Sequence, residues 1–239
     1  MPLARPLNTD IHETIIVLPD GGIHAQGLLR AGPEPPEALI ERVCSPLRAA
    51  AAQHSRPIRL SVGHPDGRVE QHQVAADGTI HPDHHPAPPA DVSDPIWNQG
   101  IPEDTDLLDT VRAAQRAGQW RAAQQAAYRA TQHLAAQYGR DHPYAAMGIE
   151  LQAYFALMAH DHTTGATLYT ESAVAVHRLG GPAAQSRHDL ASAVSAWLHS
   201  DRDRRPGGTG FAIAHALIRI TPRDRAALAA LVRRLTGQR

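Results

Sequence analysis

Lysine is absent from this 239-residue sequence, so its 23 basic residues other than histidine are all arginines. Without lysine the chain cannot form a lysine Schiff base or supply the lysine of a phosphate-binding P-loop. The GGTG segment at 207–210 lacks the third glycine and the preceding strand of a dinucleotide-binding turn. His12-Glu13 is not followed by the second histidine of a zinc-protease helix, and no Gly-x-Ser-x-Gly elbow occurs. We therefore expect that the protein is not an enzyme and uses no cofactor.

Cysteine and long apolar runs are also scarce. Cys44 is the single cysteine, so no internal disulfide can form and a reducing compartment is expected. It lies among the apolar residues of ALIERVCSPL, which predicts a buried side chain. No segment approaches the roughly 20 apolar residues of a membrane span, and no apolar signal segment is visible. The expectation is a cytoplasmic protein without a membrane partner.

Aromatic residues make up 4 % of the chain although hydrophobic residues reach 42 %. Alanine and leucine must therefore fill most of the core, and alanine both favours helix and lets helices approach closely. The net charge of −1 conceals an uneven distribution, because residues 202–239 hold nine arginines and two aspartates. That region alone carries +7, and the rest of the chain carries −8.

Residues 11–81 are predicted to form a small α/β domain. The apolar, β-branched segment HETIIVL and a second strand segment, IHAQGLL, flank the turn signal PDGG, and a helical segment follows. The segment PIRLSV then alternates with period two, and after the turn HPDG the segment RVEQHQV returns as a strand. The order is ββαββ, in which one helix covers a face of a four-stranded sheet. A further Asp-Gly turn closes the domain. Pro46 lies inside the helical segment, so we expect a kink or two short helices there.

Residues 82–102 are predicted to form a semi-rigid linker, because prolines recur and apolar periodicity vanishes. Trp97 is the exception within it, and so large an apolar side chain is expected to dock on a neighbouring domain. Residues 103–239 show helical periodicity throughout. The predicted fold class is therefore α+β, with a ββαββ domain followed by an all-α region of helical hairpins.

An offset of 42 residues aligns small or apolar positions within the helical region. Such positions are needed where helix pairs pack closely. The aligned sets are Ala123 with Gly165 and Gly207, Ala130 with Ser172 and Ala214, Ala127 with Tyr169 and Phe211, and Gly139 with Gly181. Thr221 is the expected N-cap of the last helix, which we expect to cover the end of the repeats.

This pattern resembles tetratricopeptide repeats of the longer-period kind found in kinesin light chains and many bacterial proteins. That subtype has a turn glycine, small residues in the second helix and a Gly-x-Asp-His-Pro junction. Gly118, Ala123, Ala130 and the junction GRDHP at 139–143 match it, whereas His160 replaces the turn glycine of the second unit. The resemblance covers about half the chain. It implies a superhelix of antiparallel helix pairs that binds a peptide or a partner protein.

The resemblance also implies which residues line the concave face, since the first helix of each pair faces it. The expected function is a non-catalytic scaffold or adaptor. The partner-binding residues placed there by the family register are Leu108, Arg112, Gln115, Arg116, Glu150, Tyr154, Leu157, Met158, Ser192 and His199. So short an array also needs its ends covered, by other parts of the chain or by a homodimer.

Two alternatives to this function stay open. The arginine-rich C-terminal region could bind nucleic acid or an acidic partner through Arg202, Arg204, Arg205, Arg219, Arg223, Arg225, Arg233 and Arg234. A weaker alternative is a metal protein built on histidines, of which the most metal-like cluster is His81, Asp83, His84 and His85. A proline-broken segment gives such ligands no fixed scaffold, so no metal is expected. Asp141-His142 is predicted to be a helix cap, with Asp141 as the capping residue.

Overall fold

The computed structural model describes residues 12–18, 23–26, 36–83, 94–102, 106–200 and 207–237. A small five-stranded sheet in the N-terminal part is followed by a helical C-terminal region. The strands are β1 (His12–Val17), β2 (Ile23–Gln26), β3 (Ile58–Gly63), β4 (Val69–Val74) and β5 (Ile80–Pro82). The helices are α1 (Pro36–His54), α2 (Ile96–Gln99), α3 (Asp106–Arg116), α4 (Trp120–Tyr138), α5 (Pro143–Met158), α6 (His162–Arg178), α7 (Ala183–His199), α8 (Gly207–Ile220) and α9 (Arg225–Leu235).

The chain divides into two compact units, residues 1–87 with 222–239 and residues 88–221. This division differs from the expected one, which assigned 103–239 to a single helical domain. Helix α9 belongs with the sheet and not with the helical hairpins.

The sheet has the strand order β2-β1-β3-β4-β5. Strands β1 and β3 are parallel because the chain returns through α1, and the other neighbours are antiparallel. Asp-Gly turns close the β3–β4 and β4–β5 hairpins, with backbone hydrogen bonds from His64 to Arg68 (2.8 Å) and from Ala75 to Thr79 (2.9 Å). The ββαββ order is present, and the three-residue β5 is an addition that the sequence did not predict.

Helix α1 packs on one face of the sheet. Its residues Leu47, Ala50 and Ala51 form a core with side chains of three strands, namely Ile15, Ile58, Leu60 and Val74. Cys44 is 5 % exposed, so its predicted burial is confirmed. The helix continues through Pro46 over 19 residues, so of the two expected outcomes, a kink or two short helices, the second is wrong.

The opposite face of the sheet is covered as well, because Thr14, Ile16 and Ser61 are buried. His12 Nε2 lies 2.8 Å from Ser61 Oγ across the parallel strands β1 and β3. Within the same unit, α9 buries an apolar side that contains Leu228, Leu231 and Val232. Asp224 caps this helix by accepting from the Ala227 backbone N–H at 3.2 Å, whereas Thr221 was expected in that role.

In the second unit, α3 to α7 pack successively, each against the next, and α8 packs on both α6 and α7. Alanines form the contacts between α3, α4 and α5, together with Val111 and Phe155. The helices approach so closely that a Cβ added to Gly148 of α5 would lie 2.5 Å from Thr131 Oγ1 of α4. Small residues are therefore required at these positions, as the scarcity of aromatic residues indicated.

The turns between paired helices share one geometry. Gly118 after α3 and His160 after α5 are 42 positions apart, and both are left-handed, with φ of 67° and 59°. In each turn the next N–H donates to the carbonyl five residues earlier, from Gln119 to Ala114 (3.0 Å) and from Asp161 to Ala156 (2.9 Å). This is the hydrogen bond of a Schellman motif. The sequence offset therefore corresponds to a repeated backbone conformation, and His160 occupies a position that suits glycine.

The junction between α4 and α5 is a helix cap, but not the one predicted. His142 is the N-cap, and its Nδ1 accepts from the Tyr144 backbone N–H at 3.2 Å. Asp141 instead forms an ion pair with Arg178 at the end of α6, with 2.6 Å between nitrogen and oxygen. Burial lowers the pKa of His142, which keeps the imidazole neutral and able to accept this hydrogen bond.

Trp97 docks within the helical unit. It lies in the short helix α2, and its ring is close to Gly181 and Val176 at the α6–α7 connection. A Cβ added to Gly181 would lie 2.7 Å from the indole ring and 2.7 Å from the Val176 side chain. Glycine at position 181 therefore leaves space for the indole ring of Trp97. The neighbouring Gly180 has a different role, because its backbone is left-handed, with φ of 68°.

His160→Gly is expected to stabilise the protein by about 0.5–1 kcal/mol. A left-handed non-glycine residue costs about 1–2 kcal/mol, and the extra unfolded-state freedom of glycine offsets part of the gain. Urea denaturation measures the change in unfolding free energy. Gly118→Ala at the equivalent turn is the matched variant, and it should destabilise by roughly 1 kcal/mol. A destabilised His160→Gly variant would show that the turn is not strained.

Gly181→Ala is expected to destabilise the protein by about 1–3 kcal/mol, because the new methyl group overlaps Trp97 and Val176. The displaced indole should also change the tryptophan fluorescence of the folded protein. Gly208→Ala is the control, since nothing lies within 4 Å of a Cβ at that position in α8. It should be neutral or slightly stabilising on helix propensity. Equal effects of the two substitutions would contradict the docking of Trp97 at Gly181.

Candidate functional site

A buried polar cluster joins α5, α6 and α7. The Gln185 side-chain amide of α7 donates to Glu150 Oε1 of α5 at 2.6 Å and to Asp189 Oδ1 at 3.2 Å. The other Asp189 oxygen accepts from the Ser172 hydroxyl of α6 at 2.7 Å. Asp189 is fully buried, and Gln185 and Glu150 are half-buried. One amide thus bridges two carboxylates that belong to different helices.

Burial controls the protonation of this cluster. Desolvation is the main cause that raises the pKa of Asp189 to about 6, although the Ser172 hydrogen bond favours the charged form. Desolvation also raises the pKa of Glu150 above its usual range. The same burial, with the charges of Glu150 and Asp189, raises the pKa of Tyr169 to about 12. Among the described residues, no arginine forms an ion pair with Glu150, and His188 is the positive group whose charge acts on it.

The cluster reaches the surface beside Tyr154. Helix α5 is enclosed on nearly all sides, and Tyr154, at 41 %, is its one exposed residue. Glu150 lies one helical turn before Tyr154, and His188 on α7 is exposed. Glu150 and Tyr154 therefore share one side of α5, and His188 is near enough for its charge to act on Glu150. We call Glu150, Tyr154, Gln185, His188 and Asp189 the α5–α7 cluster.

The remaining predicted partner-binding residues do not belong to the α5–α7 cluster. Leu108 is 7 % exposed and belongs to the core, so it cannot line a binding face. Leu157 packs against Gly165 of α6, since a Cβ there would lie 2.4 Å from Leu157 Cδ2. On α3, Arg112, Gln115 and Arg116 are exposed. Asp109 forms an ion pair with Arg112 at 3.2 Å.

Of the three remaining predicted residues, Met158 and His199 are the last residues of α5 and α7, and Ser192 lies in the middle of α7. Ser192 is half-buried in α7, and His199 at the end of α7 is exposed with its ring 6.1 Å from that of His162. Met158, the last residue of α5, lines an open groove of about 480 Å³. The structure therefore joins Glu150 to Gln185 of α7, keeps Tyr154 one helical turn after Glu150, and places Met158 in a separate groove.

Neither alternative gains a specific contact. Within the described ranges, no group of three or more His, Cys, Asp or Glu side chains is arranged to hold a metal ion. His81 is exposed beside Thr79, Asp83 lies 3.7 Å from Arg59, and His84 and His85 lie outside the described residues. The described arginines of the C-terminal region are all exposed, namely Arg219, Arg223, Arg225, Arg233 and Arg234. Arg202, Arg204 and Arg205 lie outside the described residues.

Sequence reasoning missed Gln185 and Asp189. A signal for Asp189 was present, because it falls on the stripe of α7 that also holds Ser186, Leu190 and Ala193, all buried. An acidic residue on the apolar side of a helix indicates a buried carboxylate with partners. Gln185 had no such signal, since its contacts come from α5 and from its own helix.

None of the described helices has the length and apolarity that a membrane crossing needs.

Asp189→Asn is expected to change how stability depends on pH. The pKa of Asp189 is raised from 3.8 to about 6, so folding favours the protonated acid. Its contribution to stability is therefore lost as the pH rises through this interval, by an amount on the order of 3 kcal/mol. Urea denaturation at pH 4.5 and pH 7.5 should show the variant gaining stability relative to the wild type at the higher pH. Asp109→Asn, which changes an exposed aspartate, should not gain stability relative to the wild type at the higher pH. If Asp189→Asn kept the pH dependence of the wild type, the raised pKa of Asp189 would be contradicted.

No protein-family model matches this chain, and no curated protein or solved structure matches it either. Its function must therefore be inferred from the chemistry of its own side chains.

Proposed function

We propose that this chain is a non-catalytic adaptor that binds a peptide or a partner protein through the α5–α7 cluster. The observation that carries the proposal is the pairing of Tyr154 with Glu150. Tyr154 exposes a large ring on an otherwise enclosed helix, and Glu150 is a half-buried carboxylate without an arginine partner among the described residues. Exposed aromatic rings beside polar groups are typical of residues that contribute most to protein interfaces.

The proposal includes a tetratricopeptide-like arrangement of the helical unit. Two features support it. The left-handed turn residues Gly118 and His160 recur at the repeat offset, and Thr167 and Thr209, also 42 positions apart, have hydroxyls 3.4 Å from each other. In such an array the first helices of the pairs form the binding face, which agrees with the position of the cluster on α5 and α7. Arg112, Gln115 and Arg116 on α3 extend the proposed face.

The cluster does not suggest catalysis. Both Asp189 oxygens already accept hydrogen bonds, and Ser172 is fully buried. A general acid or base must reach a substrate proton at hydrogen-bond distance, and a fully buried carboxylate offers no such access. The polar groups are better suited to fix the position of Glu150 at the surface, where a partner can reach it.

Photo-crosslinking at Tyr154 tests the proposal. A benzophenone amino acid replaces Tyr154 in one variant and Tyr128 of α4, which is 55 % exposed, in another. We expect a discrete crosslinked partner from position 154 in cell extract and none from position 128. Adding Glu150→Gln should reduce the yield from position 154 several-fold, because the partner loses its charged contact. Identical crosslink patterns from both positions would reject the α5–α7 cluster as the binding surface.

A further inference from the structure

A groove lies where the α3–α4 turn meets the α5–α6 turn, and the proposed adaptor function does not use it. It measures about 480 Å³, which is within the usual range for ligand pockets. Its lining comes from the start of α4 and the end of α5, and consists of Gln119, Trp120, Arg121, Ala122, Met158, Ala159 and His160. The groove therefore connects the first and second helix pairs at their turn edge.

The walls of the groove are apolar. Trp120 is half-buried and packs on the core formed by Val111 and the α4 alanines, which fixes the indole in place. Met158 is also half-buried, and its flexible thioether side chain contributes a second apolar wall. Aromatic rings make favourable contacts with both an indole and a thioether. An aromatic side chain is thus the residue type that fits between these two walls.

The rim of the groove is positive. Arg121 is exposed and forms no ion pair with a carboxylate of the described chain, and His160 also lines the groove. Asp161, next in sequence to His160, is not among the lining residues, and its carboxylate accepts from the Thr164 N–H at the start of α6 at 3.1 Å. Gln119 provides no side-chain cap for α4, so the positive end of that helix also faces this region. Charge complementarity favours an acidic ligand.

We propose that this groove binds a partner segment in which an aromatic residue is followed by acidic residues. The aromatic ring occupies the space between Trp120 and Met158, and the carboxylates pair with Arg121 and, when it is protonated, with His160. The site is independent of the α5–α7 cluster. It gives the chain a second contact with the same partner or a contact with another one. So open a groove is expected to bind a short peptide with a dissociation constant on the order of 0.1–1 mM.

Methionine methyl NMR tests this proposal directly, because the chain has only three methionines. The protein is labelled with methyl-¹³C methionine, and Met158→Leu identifies the Met158 signal. The probe is the capped peptide Gly-Phe-Glu-Glu-Gly, compared with Gly-Phe-Arg-Arg-Gly and Gly-Ala-Glu-Glu-Gly. We expect a saturable shift of the Met158 methyl signal with the first peptide alone. The methyl signal of Met147, near the N-terminal end of α5, should not shift.

Charge-reversal variants complete the test. Arg121→Glu should weaken binding of the Phe-Glu-Glu peptide about tenfold or more through like-charge repulsion. Arg129→Glu, an exposed arginine farther along α4, should leave it unchanged. Tyr154→Ala should also leave it unchanged, so failure of the adaptor proposal is distinguishable from failure of this one. A Met158 signal that does not move, that moves equally with the arginine peptide, or that is insensitive to Arg121→Glu overturns the proposal. A shift that depends on protein concentration without peptide also overturns it and assigns the groove to a second copy of the chain.

Discussion

The close approach of helices is the constraint on which the helical unit depends. With aromatic residues at 4 % of the chain, large side chains cannot fill wide gaps between helices. Dispersion contacts fall off steeply with distance, so small residues must bring the backbones together instead. Gly148 lies against Thr131, and Gly165 lies against Leu157, with no room for a methyl group at either glycine. The alanines of α4 likewise let its backbone approach those of its neighbouring helices closely.

The close approach of the helices also lets short polar side chains form hydrogen bonds between neighbouring helices. Gln152 of α5 donates to Thr131 of α4 at 2.7 Å, and Ser172 of α6 donates to Asp189 of α7 at 2.7 Å. Each bond joins the second helix of one pair to the first helix of the next. Because an unsatisfied buried polar group is costly, these bonds favour one register between neighbouring pairs. Glu150 and Tyr154 therefore occupy a fixed position at the surface, which a binding site requires.

Helix α5 shows how an enclosed element can still offer binding surface. Its neighbours cover it on nearly all sides, so it contributes one exposed ring, Tyr154, and its C-terminal end at Met158. Both locations combine an apolar side chain with charged neighbours, which are of negative sign near Tyr154 and of positive sign near Met158. As proposed, the two sites would therefore favour segments of opposite charge, although both include residues of α5.

The sequence by itself determined the features that depend on a few neighbouring residues. Periodicity indicated the longer strands and helices, although not β5 or α2, and the repeat offset located the turns at Gly118 and His160, because helix termination needs only local backbone geometry. Tertiary structure decided every feature that required a distant partner. Asp141 pairs with Arg178 while His142 caps α5, and the buried Asp189 accepts from the Ser172 hydroxyl of α6. The physical reason is that capping and periodicity act within one or two turns, whereas burial and pairing depend on which surfaces meet after the chain has packed.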